Sequence, residues 1–167
     1  DAIIIASGLL HNAEQQPEKS LRDIKPHALQ QAFTTNAIGP LLVAKYFVPK
    51  MHAHRRAVFA ALSARVGSIS DNRLGGWYAY RASKAALNMY LKTLAIETKR
   101  RHQQRIVIGL HPGTVDTALS APFQRNVPSE KLFTPERSAK HLIDIIDSVT
   151  TNDSGKLFAW DGKVIDF

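Results

Sequence analysis

The sequence predicts one α/β domain in which a parallel sheet of about four strands lies between two layers of helices. Two observations predict it. Short apolar runs alternate along the chain with long stretches whose apolar residues recur at helical spacing. Polar residues and glycines follow several of these runs directly, as at the ligand-binding edge of parallel sheets. The chain has 167 residues, 44% of them hydrophobic, which is enough for one buried core.

The first predicted strand is an isoleucine-rich apolar run, residues 2–6, which ends at Ser7-Gly8. A run without polar alternation is typical of a strand buried on both faces. A polar stretch with two prolines follows, and a helical pattern then extends over residues 27–51. Pro40 interrupts this pattern, and we therefore expect a bend there.

The second predicted strand is residues 57–62, followed at once by Ser63. A loop rich in serine and glycine leads from it to the strongest helical pattern of the chain, residues 78–100. A third apolar run, residues 105–110, is closed by the His-Pro-Gly sequence of residues 111–113. The second and third strands therefore both end in polar or chain-bending residues.

The remaining elements are one helix and one strand. Residues 114–133 show no pattern and are predicted to be a structureless loop, of a length that is often functional. Thr134-Pro135 is typical of a helix start, with threonine as the N-cap and proline at the first helical position. That helix is predicted to extend to about residue 149, and residues 156–160 form the last strand.

The composition excludes several kinds of site. There is no cysteine, which rules out disulfides, thiolate metal sites and a cysteine nucleophile. The seven histidines show no metal-ligand spacing, so we expect no metal. No apolar run approaches the roughly 20 residues of a membrane span, and we expect a cytoplasmic protein without membrane association.

The formal net charge of +8 raises the alternative of a nucleic-acid partner. The basic residues cluster at 52–56 and 99–105, each between a helical pattern and an apolar run. Neither cluster contains the interleaved aromatic residues of a base-stacking surface. Because lysine and arginine favour helix C-termini, we interpret both clusters as solvated helix ends and do not expect nucleic-acid binding.

Tyr80 and Lys84 are the strongest candidates for chemistry. They are four residues apart at the start of the predicted helix, so both side chains lie on one helix face. A free phenol is a poor base near neutral pH, but a nearby cation stabilises the phenolate and lowers its pKa. The pair can therefore act as a general acid/base at an alcohol or carbonyl oxygen. Such a pair also occurs by chance, so its neighbours decide the interpretation.

The neighbours of this pair resemble the short-chain dehydrogenase/reductase family, and within it the C-factor-like and sniffer-like carbonyl reductases. Tyr80 and Lys84 match the family's Tyr-x-x-x-Lys motif, and Asn36 resembles its helix asparagine. Residues 111–117, His-Pro-Gly-Thr-Val-Asp-Thr, resemble its Pro-Gly-x-x-x-Thr loop, and residues 67–81 are similar to the reductase subgroup. The resemblance covers essentially the whole chain in order.

The resemblance implies hydride transfer between NAD or NADP and a small carbonyl or alcohol substrate. Tyr80 would protonate the carbonyl oxygen, Lys84 would lower the tyrosine pKa and hold the nicotinamide ribose, and Asn36 would anchor a water. The other residues implied for cofactor binding lie at strand ends: Gly8, Pro112, Gly113, Thr114, Val115 and Thr117. The family also implies a homo-oligomer paired through the two long helices.

Two departures concern side chains at the strand ends. Ala64 stands where the family has its catalytic serine, so Ser63 or Ser68 would have to replace it, and we favour Ser63 as the nearest to the strand end. The family's Asn-Ala-Gly is Ala-Ser-Gly here, residues 6–8. Trp77 and Tyr78, beside the proposed site, either line a substrate pocket or belong to the core.

The largest departure is that no glycine-rich turn, which normally holds the dinucleotide pyrophosphate, follows any predicted strand. The chain resembles the carboxyl-terminal part of a Rossmann-like doubly wound sheet, strands 4-5-6-7 of the family, within one domain over residues 1–167. It is either a fragment or a natural short form. We expect weak dinucleotide binding or none, and an exposed apolar edge at the first strand.

Other classes of function remain as alternatives. A non-catalytic scaffold or signalling protein derived from the family agrees with the missing glycine-rich turn, whereas Asn36, Tyr80 and Lys84 favour an enzyme. A Ser–His hydrolase would need Gly-x-Ser-x-Gly at a strand-to-helix turn, and the chain has no such motif. His111 is interpreted as a packed loop residue.

Overall fold

A computed structural model describes residues 1–167 and contains seven strands. In chain order they are β1 (Ala2–Ile5), β2 (Ala57–Leu62), β3 (Arg105–His111), β4 (Thr114–Val115), β5 (Leu132–Phe133), β6 (Leu157–Ala159) and β7 (Val164–Ile165). Five of them form the central sheet in the order β1-β2-β3-β6-β7. The first four run parallel, and β7 pairs antiparallel with β6. The predicted α/β sheet is thus confirmed as mostly parallel, but it is mixed rather than all parallel.

The extra strand arises from a tight turn at the end of the chain. The amide of Ala159 donates to the carbonyl of Lys163. Gly162 has a φ of 78°, a conformation that side chains rarely tolerate. Strand β7 is only two residues long, which is too short for a periodic pattern to reveal it.

Four α-helices cover the sheet: α1 (Pro26–Phe33), α2 (Gly39–Phe47), α3 (Tyr78–Arg101) and α4 (Pro135–Ser148). Helices α1 and α2 are joined without a break by a π-helical turn, Thr34–Ile38. The amide of Gly39 donates to the carbonyl of Thr34, five residues earlier. Pro40 has no amide hydrogen, so the wider turn precedes it where we predicted a bend. Asn36 lies in this π turn.

Alternate side chains of the central strands fill two separate cores, one on each face of the sheet. Phe59 of β2 and Val107 of β3 pack with Leu87 and Leu91 of α3. On the other face, residues such as Val58 pack against α4. Because side chains alternate between the two faces, this arrangement decides which residues at the strand ends face α3, the helix that carries Tyr80.

The segment 114–133 is not structureless, and the prediction for it was wrong. Strand β4 pairs in parallel with β5, and a 3₁₀ helix spans Ala121–Asn126 between them. The imidazole Nε2 of His11 lies 3.2 Å from the carbonyl of Ala118 and ties the segment to the loop after β1. Strands β4 and β5 are each too short to show periodicity in the sequence. Their pairing nevertheless closes the segment over the edge of the sheet.

The two basic clusters lie at helix ends, as interpreted, but the last arginine of each bonds to helix-end carbonyls, and Arg105 is buried while Arg56 stays exposed. Arg105 is 5% exposed, and its guanidinium donates to the carbonyls of Pro49, Met51 and His52 after α2. Arg56 donates in the same way to carbonyls at the end of α4. Each arginine supplies hydrogen bonds to carbonyls that a helix end leaves without a partner.

Strand β1 forms one edge of the sheet, and Ile4 on it is 46% exposed. This agrees with the predicted apolar edge. None of the helices combines the length and the apolar character needed to cross a membrane.

Replacing Arg105 by methionine should lower the free energy of unfolding by roughly 2–4 kcal/mol, because three carbonyls, that of Met51 buried, lose their donor at once. Urea unfolding followed by circular dichroism measures this. Arg100→Met is the matched control, since Arg100 is an exposed member of the same basic run, and it should change stability by less than about 0.5 kcal/mol. Equal stabilities of the two variants would contradict the assigned role.

Candidate active site

An open cleft of about 740 Å³ lies at the carboxyl ends of β1, β2 and β3. Its walls come from the strand ends, the start of α3, the segment after β3 and one side of α4. All residues predicted for catalysis or cofactor binding line this cleft except Asn36: Gly8, Ser63, Tyr80, Lys84, Pro112, Gly113, Thr114, Val115 and Thr117. The structure therefore brings these residues from four separate stretches of the chain to one edge, as expected for an open parallel sheet.

Tyr80 reaches the cleft because α3 begins two residues before it. Trp77 precedes the helix with a left-handed φ of 53°, which turns the chain sharply into the first helical turn. Glu18, buried in the loop after β1, fixes this start: its carbonyl accepts from the Trp77 amide and its carboxylate accepts from the Ala79 amide at 3.2 Å. The carboxylate caps the helix N-terminus, where amides lack intrahelical partners.

Arg81 fixes the other side of the same helix start. Its Nε donates to the carbonyls of Gly75 and Gly76 at 3.2 and 3.0 Å, and its Nη1 donates to the carbonyl of Val66. The loop between β2 and α3 is thereby held against the residue that follows Tyr80. Glu18 and Arg81 together set the position of the phenol.

Lys84 is 2% exposed and lies behind Tyr80. Its Nζ is 5.8 Å from the centre of the Tyr80 ring and donates to the carbonyl of Leu62 at the end of β2, at 2.7 Å. The lysine therefore joins α3 to the strand edge through one hydrogen bond.

Burial dominates the electrostatics of this pair. It raises the pKa of Tyr80 to about 12 and lowers the pKa of Lys84 to about 8, because both charged forms lose solvation. The expectation that Lys84 lowers the tyrosine pKa does not hold in this state of the protein, because burial outweighs any effect of the lysine. At neutral pH the phenol keeps its proton and is a proton donor rather than a base.

Asn36 lies outside the cleft wall but holds two of its elements together. Its amide is fully buried: Oδ1 accepts from the Leu9 amide at 2.7 Å, and Nδ2 donates to the Leu9 carbonyl at 2.8 Å and to Ser83 Oγ at 3.0 Å. The loop after β1 is thus clamped to the residue before Lys84. The predicted anchoring of a water by Asn36 stays a prediction.

The serine position is the weakest part of the predicted site. Ser63 Oγ donates to Oδ1 of Asn88 at 2.6 Å. Asn88 Nδ2 donates to the carbonyl of Gly67 at 3.2 Å, which fixes the orientation of the amide. Ser68 does not line the cleft, and its hydroxyl donates to the carbonyl of Asp166. The one hydroxyl hydrogen of Ser63 is therefore already engaged, and its catalytic role stays a prediction.

Two glycines of the cleft wall, Gly8 and Gly113, leave space that a side chain would otherwise fill, as close approach of a dinucleotide requires. A side chain at Gly8 would begin 3.7 Å from Lys84 Nζ and 3.8 Å from Asn36 Oδ1, so the glycine keeps the approach to the lysine open. Gly113 has a φ of 78°, and a Cβ there would lie 2.7 Å from Phe133. A side chain at residue 113 would clash with Phe133, so only glycine allows the chain to turn there and continue along the cleft to Thr117.

Trp77 lines the cleft rather than the core, which decides between the two roles left open for it. Its ring packs 4.9 Å from that of Phe123 and 6.2 Å from that of Tyr80, measured between centroids. With Leu119 and Val127 these rings form an apolar wall beside the phenol.

Sequence reasoning missed Glu18, Arg81 and Asn88, which hold the site without forming its wall. The only signal for Arg81 was its position inside the tyrosine motif. Glu18 stands in a polar stretch with no periodicity, and its contact to Ala79 joins residues 61 positions apart. Such contacts depend on the folded loop and leave no local pattern.

The fold and the cleft place the chain among α/β proteins that bind a ligand at the carboxyl edge of a parallel sheet. A family model described as short chain dehydrogenase matches residues 6–128. The chain is 33% identical over 146 residues to the C-signal of Myxococcus xanthus, a match that covers 87% of this chain and 82% of that protein. The chain therefore belongs to the short-chain dehydrogenase family.

Other relatives are longer than this chain. It is 34% identical over 138 residues to 1-hydroxy-2-glutathionyl-2-methyl-3-butene dehydrogenase of Rhodococcus sp. (strain AD45), covering 82% of this chain but 58% of that enzyme. The carbonyl reductase Sniffer of D. melanogaster has the same fold, with a TM-score of 0.82 at 22% identity, over 99% of this chain and 66% of that one. An NADPH-bound carbonyl reductase from chicken fatty liver matches with a TM-score of 0.82 at 26% identity, over 98% of this chain and 64% of that one.

The low pKa of Lys84 predicts a pH dependence of stability. Between the folded pKa of about 8 and the ordinary value of 10.5, the unfolded chain holds a proton that the folded chain has lost. Stability should therefore rise with pH across this window, by up to about 3 kcal/mol from this residue. Urea unfolding between pH 7 and 10.5 measures it.

Lys84→Met should remove that rise, whereas Lys99→Met, at an exposed lysine of the same helix, should keep it. The difference between each variant and the unsubstituted protein isolates the contribution of one lysine. A pH dependence unchanged in Lys84→Met would show that Lys84 titrates at its ordinary pKa.

Proposed function

We propose that this chain carries the catalytic part of an NAD(P)-dependent carbonyl reductase or alcohol dehydrogenase, acting on a small carbonyl or alcohol. The observation that supports it most is the placement of a protonated tyrosine, backed by a buried lysine, at the wall of an apolar cleft. On this proposal residues 1–167 are a single Rossmann-like domain without the glycine-rich part, and β1, β2, β3 and β6 correspond to strands 4 to 7 of the family sheet.

The dinucleotide, when bound, supplies or accepts the hydride. The chain supplies the proton: the Tyr80 phenol donates to the carbonyl oxygen as negative charge develops on it. Lys84, positively charged below pH 8, would offset part of the charge of the phenolate left behind, and with Gly8 beside it would hold the ribose of the dinucleotide. The apolar wall formed by Trp77 and Phe123 holds the rest of the substrate and excludes water from the phenol.

The raised tyrosine pKa favours reduction over oxidation. With a pKa of about 12, roughly one molecule in a hundred thousand carries the phenolate at pH 7. Oxidation of an alcohol needs that base form, whereas reduction needs the protonated form that dominates. The site is therefore set to give a proton to a carbonyl rather than to take one from an alcohol.

A second candidate is a non-catalytic scaffold or signalling protein. One feature favours it: Ala64 supplies no serine hydroxyl at the end of β2. The similar protein of Myxococcus xanthus is named C-signal. On this candidate Tyr80 and Lys84 serve only the structure of α3, so that removing the phenol hydroxyl changes no biological activity.

We also propose a homo-oligomer paired through α2 and α3. The outward faces of these two long helices carry exposed apolar side chains: Leu42, Tyr46, Met89 and Ile96. Large exposed apolar side chains on two helices that contact each other support an interface at this surface. A second copy with the same two helices would bury them about a twofold axis.

Tyr80→Phe should lower the rate of carbonyl reduction by at least about 100-fold, because the proton donor is lost while the ring and its packing remain. Tyr78→Phe is the matched control, two residues earlier on the same helix but exposed and outside the cleft. Reduction is followed as the loss of nicotinamide absorbance with NADH and NADPH. Turnover that is undiminished in Tyr80→Phe would eliminate the catalytic proposal and favour the scaffold.

Ile96→Lys should convert the oligomer to a monomer, because a charged side chain cannot be buried in the paired helices without a partner. Ile143→Lys is the matched control and should leave the oligomer intact. Both isoleucines are 50% exposed on helices, but Ile143 lies on α4, outside the proposed interface. Sedimentation velocity gives the molecular mass of each variant. A monomeric unsubstituted protein, or dissociation by both substitutions alike, would refute pairing through α2 and α3.

A further inference from the structure

The strand end beside Tyr80 lacks a free hydroxyl donor. Ala64 has none, Ser63 donates to Asn88, and Ser68 donates to the carbonyl of Asp166. A carbonyl oxygen that becomes negative during reduction is stabilised by a second hydrogen bond besides that from the phenol. Another donor at the end of β2 or of its neighbour β3 would complete the site.

His111 occupies that position on β3. Ala61 and Leu62 of β2 pair with Gly109 and Leu110 of β3, and the Ser63 amide donates to the Leu110 carbonyl. The register therefore brings His111 beside Ser63. Residues of β3 two apart share a face, and a Cβ added at Gly109 would lie 3.4 Å from Leu91 of α3. His111 thus lies on the α3 side of the sheet, the side of Tyr80.

The imidazole of His111 is partly buried, and no other function in the structure uses it. Its Nδ1 is enclosed by protein without a hydrogen-bond partner. Because His111 lines the cleft, Nε2 is the nitrogen that a bound molecule can reach. Burial lowers the pKa of His111 to about 4, with Arg65 lowering it further and Asp161 opposing the shift. The ring is therefore neutral at physiological pH, with one N–H to donate.

We propose that His111 Nε2–H donates a hydrogen bond to the substrate carbonyl oxygen, in place of the hydroxyl absent at residue 64. The inference rests on the proposed reductase function and deepens it. The oxygen would lie between the Tyr80 phenol and the His111 imidazole, with the carbon skeleton against Trp77 and Phe123. That placement selects carbonyl compounds with an apolar, flat substituent.

Acetophenone and ethylbenzene form a matched pair of probes, since they have nearly the same shape and only acetophenone has the oxygen. Binding of each to the full chain is followed by ¹⁵N-imidazole and ¹H NMR. We expect acetophenone to shift the His111 Nε2 resonance saturably and ethylbenzene to leave it unchanged. A wild-type protein that does not bind acetophenone, or that binds it without a shift at His111, overturns the proposal.

Variants separate a hydrogen bond from a packing role. His111→Phe should lower the affinity for acetophenone about 5- to 10-fold and leave that for ethylbenzene unchanged. Adding Ala64→Ser to His111→Phe should restore most of the loss, and His111→Asn, which keeps a donor, should lose less. His141→Phe is the control, because His141 also has a buried, unpartnered Nδ1 but lies outside the cleft.

The outcomes distinguish this inference from the proposed function. If Tyr80→Phe abolishes turnover while His111→Phe weakens both probes equally or neither, the reductase stands and the role of His111 is wrong. If His111→Phe selectively weakens acetophenone while Tyr80→Phe leaves turnover unchanged, the oxygen site is real and the reductase proposal fails. Failure of Ala64→Ser to restore binding in His111→Phe contradicts the replacement of one donor by the other.

Discussion

The buried side-chain amide of Asn36 is the contact on which the geometry of the cleft depends. It hydrogen-bonds both backbone groups of Leu9 and the hydroxyl of Ser83, so that the exit of β1, the π turn and α3 are held in one arrangement. The Asn36 side chain is fully buried, so leaving its amide unpaired would cost about 1–3 kcal/mol. Because Lys84 follows Ser83 directly, any shift of this clamp would displace the lysine and its bond to Leu62.

Tyr80 and Lys84, the two residues next to that clamp, are both buried where their charged forms are unfavourable. Tyr80 resists deprotonation and Lys84 holds its proton less tightly than in water, since the same apolar surroundings disfavour both charged forms. The protein tolerates this because the lysine ammonium donates to a strand-end carbonyl and the neutral phenol needs no counterion. Perturbed groups of this kind in a cleft are typical of functional sites. A negative charge beside Lys84, such as a developing alkoxide, would stabilise the buried ammonium and offset the solvation that it has lost.

The sequence predicted the strands that end at the cleft, because β2 and β3 are unbroken apolar runs bounded by breakers. It also predicted Gly8, Ser63 and Pro112 at the strand ends of the wall, but not Leu119, Phe123 or Val127, which lie in the segment predicted to be structureless. It did not predict β4, β5 or β7, which are two residues long and stabilised by contacts between distant segments. Nor did it predict the direction of the Tyr80 pKa shift, because the lysine is visible in the sequence while the depth of burial is not. Glu18 and Asn88 were missed because their hydrogen bonds to α3 and to the loop after β2 exist only in the folded chain.

The most direct test of the account is the titration of the Tyr80 phenol itself. Protein labelled with ¹³C at the tyrosine ζ carbon gives one resonance for each tyrosine, and Tyr80→Phe identifies the relevant signal. The account predicts that Tyr80 keeps its proton well above the ordinary value of 10, with a midpoint near 12. A midpoint at or below 10 would show that the lysine outweighs burial, and would contradict the assignment of a proton-donating site.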